Sequence, residues 1–304
     1  MTKLLRNLAD NVRSGVQSLS PRYSHFVAIA RLDKPIGIYL LLWPTLSALW
    51  LASAGWPGWH LFLVFTLGTG LVRSAGCVMN DIADRNYDGL VKRTQNRPLA
   101  TGDLKPGEAV IFMCVLCLCA FLLVLTTNLT TIILAFVGVL VTVVYPYMKR
   151  FFHLPQAMLG IAFSLGIPMA YTAVTGGVSR LTGLLFIANM LWIVAYDTEY
   201  AMVDRDDDIK LGLRSSAILF GDLDRLIIAV LQILFLFTLW LAAQMAALHW
   251  PFYTGLVIAG GLCVYQQYLI RERQRDPCFT AFLNNHWLGM VVFLGIVIDL
   301  AVYP

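Results

Sequence analysis

The chain has 304 residues, of which 59% are hydrophobic and only 13% are charged. A soluble globular domain is about one quarter charged, so the composition excludes an ordinary soluble protein. Several apolar segments have about the 20 residues that a membrane-spanning helix needs. We therefore expect an all-α polytopic membrane bundle and not a membrane barrel. The net charge of +4 says less than the positions of the charges.

Residues 1–25 are predicted to form a surface segment that precedes a single transmembrane domain over residues 26–304. We expect no signal peptide, because no apolar core follows the first charges. Leu4, Leu8 and Val12 recur at helical spacing, with Lys3 on the other face. This pattern indicates an amphipathic helix on an anionic membrane surface, and a frayed terminus is the alternative.

Nine apolar segments predict transmembrane helices. Pro35 precedes the first segment and Pro44 lies within it, so we expect a helix start at Pro35 and a kink near Pro44. The nine predicted spans are 36–55, 60–79, 108–126, 130–148, 156–175, 182–200, 224–247, 252–270 and 286–303.

The loops between these spans alternate in size and charge. The short loops hold one basic residue, Arg180, whereas the long loops and the N-terminal segment hold nearly all of the 22 Lys and Arg residues. The positive-inside rule makes the charged side cytoplasmic. An odd number of spans then predicts a cytoplasmic N-terminus and a C-terminus on the opposite side of the membrane.

Cys114, Cys117 and Cys119 have a spacing that resembles a metal site. No His or acidic residue accompanies them, and they lie within a predicted span. We therefore interpret them as small buried packing residues.

The first acidic motif, residues 80–88, follows the second span. If the preceding helix continues, Asp81, Asp84 and Asp88 lie within about 60° of one another on one helix face. Like charges on one face repel, which predicts a cationic partner. Arg73 lies inside the span and is expected to be functional, or to orient Asp81 through a salt bridge.

The second acidic motif, residues 196–208, follows the sixth span. On a helix, Asp197, Asp204 and Asp208 share a face within about 40°, with Asp207 at its edge. We interpret Asp206 and Glu199 as solvated charges. The similar placement of the two motifs hints at an internal duplication.

Both motifs combine carboxylates with basic residues. A divalent cation with a phosphate ligand explains why carboxylates and basic residues occur together. Mg²⁺ binds carboxylates and phosphate oxygens, and Arg and Lys bind the remaining phosphate charge. The predicted ligand is a diphosphate that Mg²⁺ bridges between two helix ends, with an attached lipid chain in the bundle. The alternative is that both motifs are solvated cytoplasmic loops.

These motifs carry a resemblance to a known family. Asn80-Asp-x-x-Asp-Arg-x-x-Asp88 with Asn96-Arg-Pro-Leu99, and Tyr196-Asp-Thr-x-Tyr-Ala-Met-Val-Asp-Arg-Asp-Asp-Asp208, resemble the two motifs of the UbiA family of membrane prenyltransferases. Asp33-Lys-Pro-Ile-Gly37, Leu42-Trp-Pro-Thr45 and Leu154-Pro-Gln156 resemble the branch that prenylates 4-hydroxybenzoate in ubiquinone synthesis. Arg214 stands where many relatives are expected to have Lys.

The resemblance implies a nine-helix bundle with a central cavity that uses a polyprenyl diphosphate, 4-hydroxybenzoate and Mg²⁺. It also implies a bacterial cytoplasmic (inner) membrane, so that the C-terminus is expected to be periplasmic. The implied metal ligands are Asp81, Asp84, Asp88, Asp204, Asp207 and Asp208. The implied catalytic residues are Asp84, Asp88, Asp197, Asp204 and Asp208. The implied substrate-binding residues are Arg73, Asn80, Arg85, Lys92, Arg93, Lys149, Arg150, Lys210 and Arg214.

Arg150 is the first choice as the anchor of the aromatic carboxylate, and Arg73 is the second. Asp197 is expected to orient the second motif or to help remove a proton. Gly76 and Gly212 are expected to permit close helix packing or a turn. Two alternatives stay open: a relative with another acceptor, such as homogentisate, haem or a glycerol phosphate, and an ion-coupled transporter.

Overall fold

The structure is a computed structural model that describes residues 21–90, 94–148, 155–212 and 214–304. Every regular element within these ranges is helical, which confirms the all-α class. The amphipathic helix predicted near the N-terminus lies almost wholly outside the described residues, whose first helix begins at Pro21.

The described residues form thirteen α-helices, with short 3₁₀ turns at Asp88–Leu90, Gly221–Leu223 and Ile270–Glu272. The α-helices are α1 (Pro21–Ile29), α2 (Ile36–Ala52), α3 (Gly58–Asp84), α4 (Pro98–Thr101), α5 (Pro106–Val124), α6 (Leu129–Met148), α7 (Pro155–Ser164), α8 (Gly166–Thr175), α9 (Arg180–Leu211), α10 (Ser216–Phe220), α11 (Asp224–Met245), α12 (Trp250–Leu269) and α13 (Arg275–Val302).

Helix covers most of each of the nine predicted spans. Six helical segments of the described chain are long and apolar enough to cross a membrane: Gly58–Asp84, Pro106–Val124, Gln156–Thr175, Arg180–Lys210, Ser216–Met245 and Arg275–Val302. Two shorter apolar helices, Ile36–Ala52 and Leu129–Val144, accompany them. The count of nine crossings and the side on which each terminus lies stay predictions.

Three helix boundaries differ from the predicted ones. α9 continues to Leu211 and α13 begins at Arg275, so polar stretches expected in loops are helical. The fifth span is two helices, because α7 ends at Ser164 and α8 begins at Gly166. Pro168 explains this break, since a proline has no N–H to donate to the carbonyl four residues earlier, which is that of Ser164.

The three cysteines of α5 are not buried. Cys114, Cys117 and Cys119 are exposed, whereas Cys77, Cys263 and Cys278 are buried. The interpretation of the first three as buried packing residues is therefore wrong. An apolar face toward lipid and an apolar face toward a core look the same in a sequence.

The chain divides into two compact units, and the prediction of one domain over residues 26–304 stays a prediction. The first unit comprises Met1–Ile38 and Leu67–Leu123. Its described core joins α1, α3 and α5 through Ile29, Val78 and Ala109, with Phe26 packed edge-on against Phe112 at 5.0 Å between ring centroids.

The second unit comprises Tyr39–Thr66 and Val124–Pro304. α9 packs against α7, α11 and α13, and α12 packs along α13. The core of this unit includes Ala195, Met202, Ile228 and Ala281, whose side chains are less than a tenth exposed. α9 is thus surrounded by other helices of its unit, which fixes the helix that carries the second acidic motif.

Candidate active site

The first acidic motif does not lie on one continuous helix. α3 ends at Asp84, the Tyr87 N–H donates to the Asp84 carbonyl at 2.8 Å, and a 3₁₀ turn begins at Asp88. The prediction that Asp81, Asp84 and Asp88 share one helix face is therefore wrong for Asp88. The turn at residues 85–87 redirects the chain before it reaches that residue.

Two arginines neutralise the buried acids of this motif. Arg31 Nη2 donates to both carboxylate oxygens of Asp81, at 2.8 and 3.0 Å. Arg97 Nη1 lies 3.0 Å from Asp81 Oδ1 and donates to both oxygens of Asp88 at 2.9 Å. Asp81 is 1% exposed and Asp88 is 5% exposed. The four charges cancel, which reduces the free-energy cost of burying them.

Local hydrogen bonds hold Asp88 and its arginine in place. The Thr94 hydroxyl donates to the Asp88 carbonyl at 2.8 Å, and Arg97 immediately precedes α4, whose first residue is Pro98. Burial raises the pKa of the Asp88 carboxyl above its usual value, and the Arg97 guanidinium opposes that shift. Arg97 is not among the predicted site residues, although its Asn-Arg-Pro-Leu context is part of the family resemblance.

Arg73 lies within α3, as the sequence predicts, and it packs against the start of α2. Its guanidinium covers Gly37 so closely that a Cβ at Gly37 would collide with it. Arg73 Nη1 also donates to Cys77 Sγ one turn along α3. Gly37 therefore makes space for a charged side chain. Gly76 has open space where a Cβ would stand, so the close-packing role expected for it is wrong.

The remaining predicted residues of the first motif differ in exposure. Asn80 and Asp84 are partly buried at the end of α3, and Arg85 is exposed just beyond it. Lys92 and Arg93 lie outside the described residues. The first unit thus presents Asp84 and Asn80 beside two acids that arginines already hold.

The second acidic motif stays helical throughout, because α9 runs to Leu211. Gly212 ends the helix in a left-handed conformation, with φ of 66°, and its N–H donates to the carbonyls of Asp208 and Ile209. This confirms the turn expected at Gly212. Asp197, Asp204 and Asp208 are partly buried. They keep the helical spacing that places them on one face of α9.

Asp206 and Asp207 of this motif pair with a basic residue from α13. Arg275 Nη1 donates to Asp207 at 3.1 Å, and Arg275 Nη2 lies 3.6 Å from Asp206. The Asp206 side chain is 74% exposed, as expected of a solvated charge. Lys210 and Arg214 are exposed near the end of α9.

Hydrogen bonds on the other faces of α9 fix the second motif to its neighbours. The hydroxyls of Thr198 and Ser216 lie 2.8 Å apart, and the Ser216 N–H donates to Gln156 Oε1 at 3.1 Å. Glu199 is 0% exposed and accepts a hydrogen bond from Asn285 at 2.8 Å. The interpretation of Glu199 as a solvated charge is therefore wrong.

The carboxylate oxygens of both motifs are hard donors, the type that Mg²⁺ prefers. Within the described residues no three or more His, Cys, Asp or Glu side chains form a group ready to hold a metal ion. Asp81, Asp88 and Asp207 have arginine partners. The donor chemistry fits a divalent cation, and the predicted ligand set stays a prediction.

Residues 41–293 match the model of the UbiA prenyltransferase family. Because the match covers most of the chain, the protein belongs to that family. The class is thus a membrane-embedded helical prenyltransferase, in agreement with the two acidic motifs and the apolar helices.

Among curated proteins, the chain is 54% identical to a 4-hydroxybenzoate octaprenyltransferase from Pseudomonas syringae, over 93% of this chain and 96% of that protein. It is 56% identical to a protein of the same name from Aeromonas hydrophila, over 90% of this chain and 96% of that protein. These relatives match the chain over nearly their whole length.

Solved structures share the fold at lower sequence identity. A UbiA homologue from Aeropyrum pernix matches with a TM-score of 0.77 and 22% identity, covering 86% of this chain and 97% of that chain. One from Archaeoglobus fulgidus, bound to GPP and Mg²⁺, matches with a TM-score of 0.70 and 14% identity over 90% and 99%. At these identities the likeness shows the fold alone.

Proposed function

We propose that the protein transfers an all-trans polyprenyl group from its diphosphate to 4-hydroxybenzoate, at the carbon ortho to the hydroxyl. The observation that carries this proposal is the identity of 54% and 56% to two 4-hydroxybenzoate octaprenyltransferases, over at least 90% of this chain. The product, 3-polyprenyl-4-hydroxybenzoate, belongs to ubiquinone biosynthesis. The family membership favours an enzyme over an ion-coupled transporter.

Each acidic motif is proposed to contribute ligands for Mg²⁺ and the diphosphate. Asp84, Asp204 and Asp208 would hold Mg²⁺, together with Asp81, Asp88 and Asp207 once their arginines turn toward the phosphates. Bound Mg²⁺ would neutralise the negative charge that grows on the leaving diphosphate. A homologue from Archaeoglobus fulgidus has GPP and Mg²⁺ bound, which supports the use of Mg²⁺ with a prenyl diphosphate.

Basic residues supply the rest of the charge balance. Arg85, Lys210 and Arg214 are exposed near the motifs, where they can contact phosphate oxygens. Lys92 and Arg93 are proposed to do the same. Fixed positive groups that face the leaving group stabilise the transition state, which is often the largest single contribution to catalysis.

The apolar helices protect the reactive carbon. Cleavage of the allylic C–O bond gives a delocalised cation, and exclusion of water by the membrane-embedded helices prevents its hydrolysis. The ring of 4-hydroxybenzoate then attacks, and loss of the ring proton restores aromaticity. Asp197, partly buried on the acidic face of α9, is proposed to orient the motif or to assist this proton loss.

Arg150 is proposed to bind the carboxylate of 4-hydroxybenzoate, with Lys149 beside it and Arg73 as the second choice. Arg150 and Lys149 lie outside the described residues. Arg73 already covers Gly37 and bonds Cys77, so it is held within α3 and has less freedom to follow a substrate. We place the active site on the cytoplasmic side of a bacterial inner membrane, where both substrates are available.

An acceptor panel tests the proposed function. The purified protein is incubated with Mg²⁺, an all-trans polyprenyl diphosphate and one of three acceptors: 4-hydroxybenzoate, homogentisate or a glycerol phosphate. We expect a prenylated product with 4-hydroxybenzoate alone, identified by its mass and by the position of the new C–C bond. Product with another acceptor and none with 4-hydroxybenzoate would overturn the proposal.

A further inference from the structure

A cleft of about 340 Å³ opens on the surface of the first unit. α1 forms one wall, and the connection between α4 and α5 forms the other. The lining residues are Arg22, His25, Gly102, Asp103, Lys105 and Glu108. None of them belongs to either acidic motif. The cleft therefore does not use the residues proposed to bind Mg²⁺ and the diphosphate.

The packing of α1 against α5 fixes one side of the cleft. Phe26 of α1 packs edge-on against Phe112 of α5, with 5.0 Å between the ring centroids. Arg22 and Glu108 each lie four residues earlier on the same two helices, and they form an ion pair. Residues four apart share a helix face, so the aromatic contact and the ion pair form one continuous seam. The cleft opens at the charged end of this seam.

The α4–α5 connection fixes the other side. Gly102 ends α4 in a left-handed conformation, with φ of 83°. Leu104 is 2% exposed, and its N–H donates to the Pro98 carbonyl at 3.0 Å. Asp103 and Lys105 flank this buried leucine and are exposed. The connection thus holds one acid and one base, two residues apart, at the cleft.

The charges that line the cleft are balanced. Arg22 and Lys105 are positive and Asp103 and Glu108 are negative at neutral pH, so these four charges cancel. His25 adds an imidazole that can donate or accept a hydrogen bond. A net anion gains little overall attraction from such a cleft, whereas a zwitterion can place each of its charges against the opposite sign. The charge pattern therefore favours a zwitterionic ligand.

The cleft lies at the end of a helix whose apolar side chains are exposed. α5 is long and apolar enough to cross a membrane. Its side chains Ile111, Val115 and Leu118 are each at least half exposed, as expected of residues that contact lipid. Ile111 is only three residues past Glu108, about 4.5 Å along the helix axis. An acyl chain that lies against these side chains would have its headgroup at the cleft.

We propose that this cleft binds the headgroup of a phospholipid that carries both a phosphate and a primary ammonium group, as phosphatidylethanolamine does. Lys105 and Arg22 bind the phosphate. The Arg22 guanidinium has five N–H donors, so it can contact a phosphate while it stays paired with Glu108. Asp103 accepts hydrogen bonds from the ammonium group, which the quaternary ammonium of phosphatidylcholine cannot donate because it has no N–H.

Lipid binding to the purified protein, stripped of lipid in detergent and followed by native mass spectrometry, tests this proposal. The probes are phosphatidylethanolamine, phosphatidylcholine and phosphatidylglycerol with the same acyl chains. We expect phosphatidylethanolamine to bind about tenfold more tightly than either of the others, the usual value of a hydrogen bond to a charged group. Asp103→Asn should remove the preference over phosphatidylcholine, whereas Lys105→Gln should weaken binding of both lipids. Both side chains are exposed, so neither change disturbs the core.

Two controls accompany these variants. Asp206→Asn changes an exposed acid outside the cleft and should keep the wild-type preference. Glycerophosphoethanolamine has the headgroup without acyl chains and should compete only weakly.

Equal binding of the three lipids, tighter binding of phosphatidylglycerol, or a preference that survives in Asp103→Asn would overturn the proposal. Equal competition by glycerophosphoethanolamine would also contradict it, because the site would then recognise a soluble zwitterion. The measurement needs no prenyl transfer, so its result is independent of the proposed function.

Discussion

The two acidic motifs have similar sequences, but their surroundings in the structure differ. The first leaves its helix at Asp84, and arginines from other segments hold its two buried acids, Asp81 and Asp88. The second stays on one helix to Leu211, and a buried carboxyl among amides holds its rear face.

This difference shows two ways of holding acids at the end of an apolar helix. In the first unit, arginines form ion pairs directly with the buried acids Asp81 and Asp88. In the second, Arg275 pairs with Asp206 and Asp207, and hydrogen bonds between the buried Glu199 and Asn285 hold another face of the helix. Ion pairs can open toward a ligand that brings its own charge, whereas a buried amide network keeps its geometry.

Removal of a predicted metal ligand from either motif should have the largest effect. We expect Asp84→Ala and Asp208→Ala to lower prenyl transfer by at least about 100-fold, because each removes electrostatic stabilisation of the leaving group. Product formation by purified, folded protein measures this. Asp206→Ala is the matched control on α9, since its side chain is 74% exposed, and it should stay near wild type. Normal turnover by Asp84→Ala or Asp208→Ala would show that the substituted residue is not needed for catalysis.

Loss of the bridging arginine should affect folding stability. Arg97→Ala leaves the buried acids Asp81 and Asp88 without a shared partner, and we expect a loss of about 3–5 kcal/mol in the free energy of unfolding. Denaturant titration in detergent measures it. Arg275→Ala is the control in the second motif, where the side chain is 40% exposed and its pairs should be worth at most about 1 kcal/mol. Equal losses of unfolding free energy in Arg97→Ala and Arg275→Ala would contradict the claim that only the first motif depends on buried ion pairs.

Arg150→Ala tests the proposed acceptor anchor. Loss of a charge-assisted hydrogen bond should raise KM for 4-hydroxybenzoate by about tenfold or more and leave KM for the polyprenyl diphosphate unchanged. Steady-state kinetics with each substrate varied in turn separate the two effects. A change in KM for the polyprenyl diphosphate alone would contradict the assignment, because it would mean that Arg150 binds the diphosphate and not the acceptor.

The smallest effect should come from the glycine beneath Arg73. Gly37→Ala pushes a methyl group into the guanidinium and should cost about 1–3 kcal/mol of stability. Gly76→Ala, where the structure has open space, should be neutral or stabilising by up to about 1 kcal/mol. Thermal unfolding of the two variants beside wild type compares them. A stable Gly37→Ala protein would contradict the packing of Arg73.

The sequence predicts the helical segments well because long apolar runs determine them. It also predicts the turn at Gly212, since glycine is the usual residue for a left-handed helix end. It does not predict that α3 stops at Asp84 while α9 continues past Asp208. Both stretches are rich in Asp, and their neighbours in space decide the outcome.

Burial of individual polar residues is the main feature that the sequence does not reveal. Glu199 is buried because Gln232 and Asn285, each more than 30 residues away, approach it from other helices. Arg31 reaches Asp81 across 50 positions of the chain. Such pairs follow from tertiary packing, for which local spacing carries no signal.

Binding of an unreactive polyprenyl thiodiphosphate, with Mg²⁺ or with a chelator, tests the central proposal that each motif contributes to Mg²⁺-dependent binding of the diphosphate. We predict that wild-type binding requires Mg²⁺, and that Asp84→Asn and Asp208→Asn each weaken it at least about tenfold, the cost of a lost interaction with a charged group. Wild-type affinity in either variant, or Mg²⁺-independent binding by the wild type, would contradict the claim.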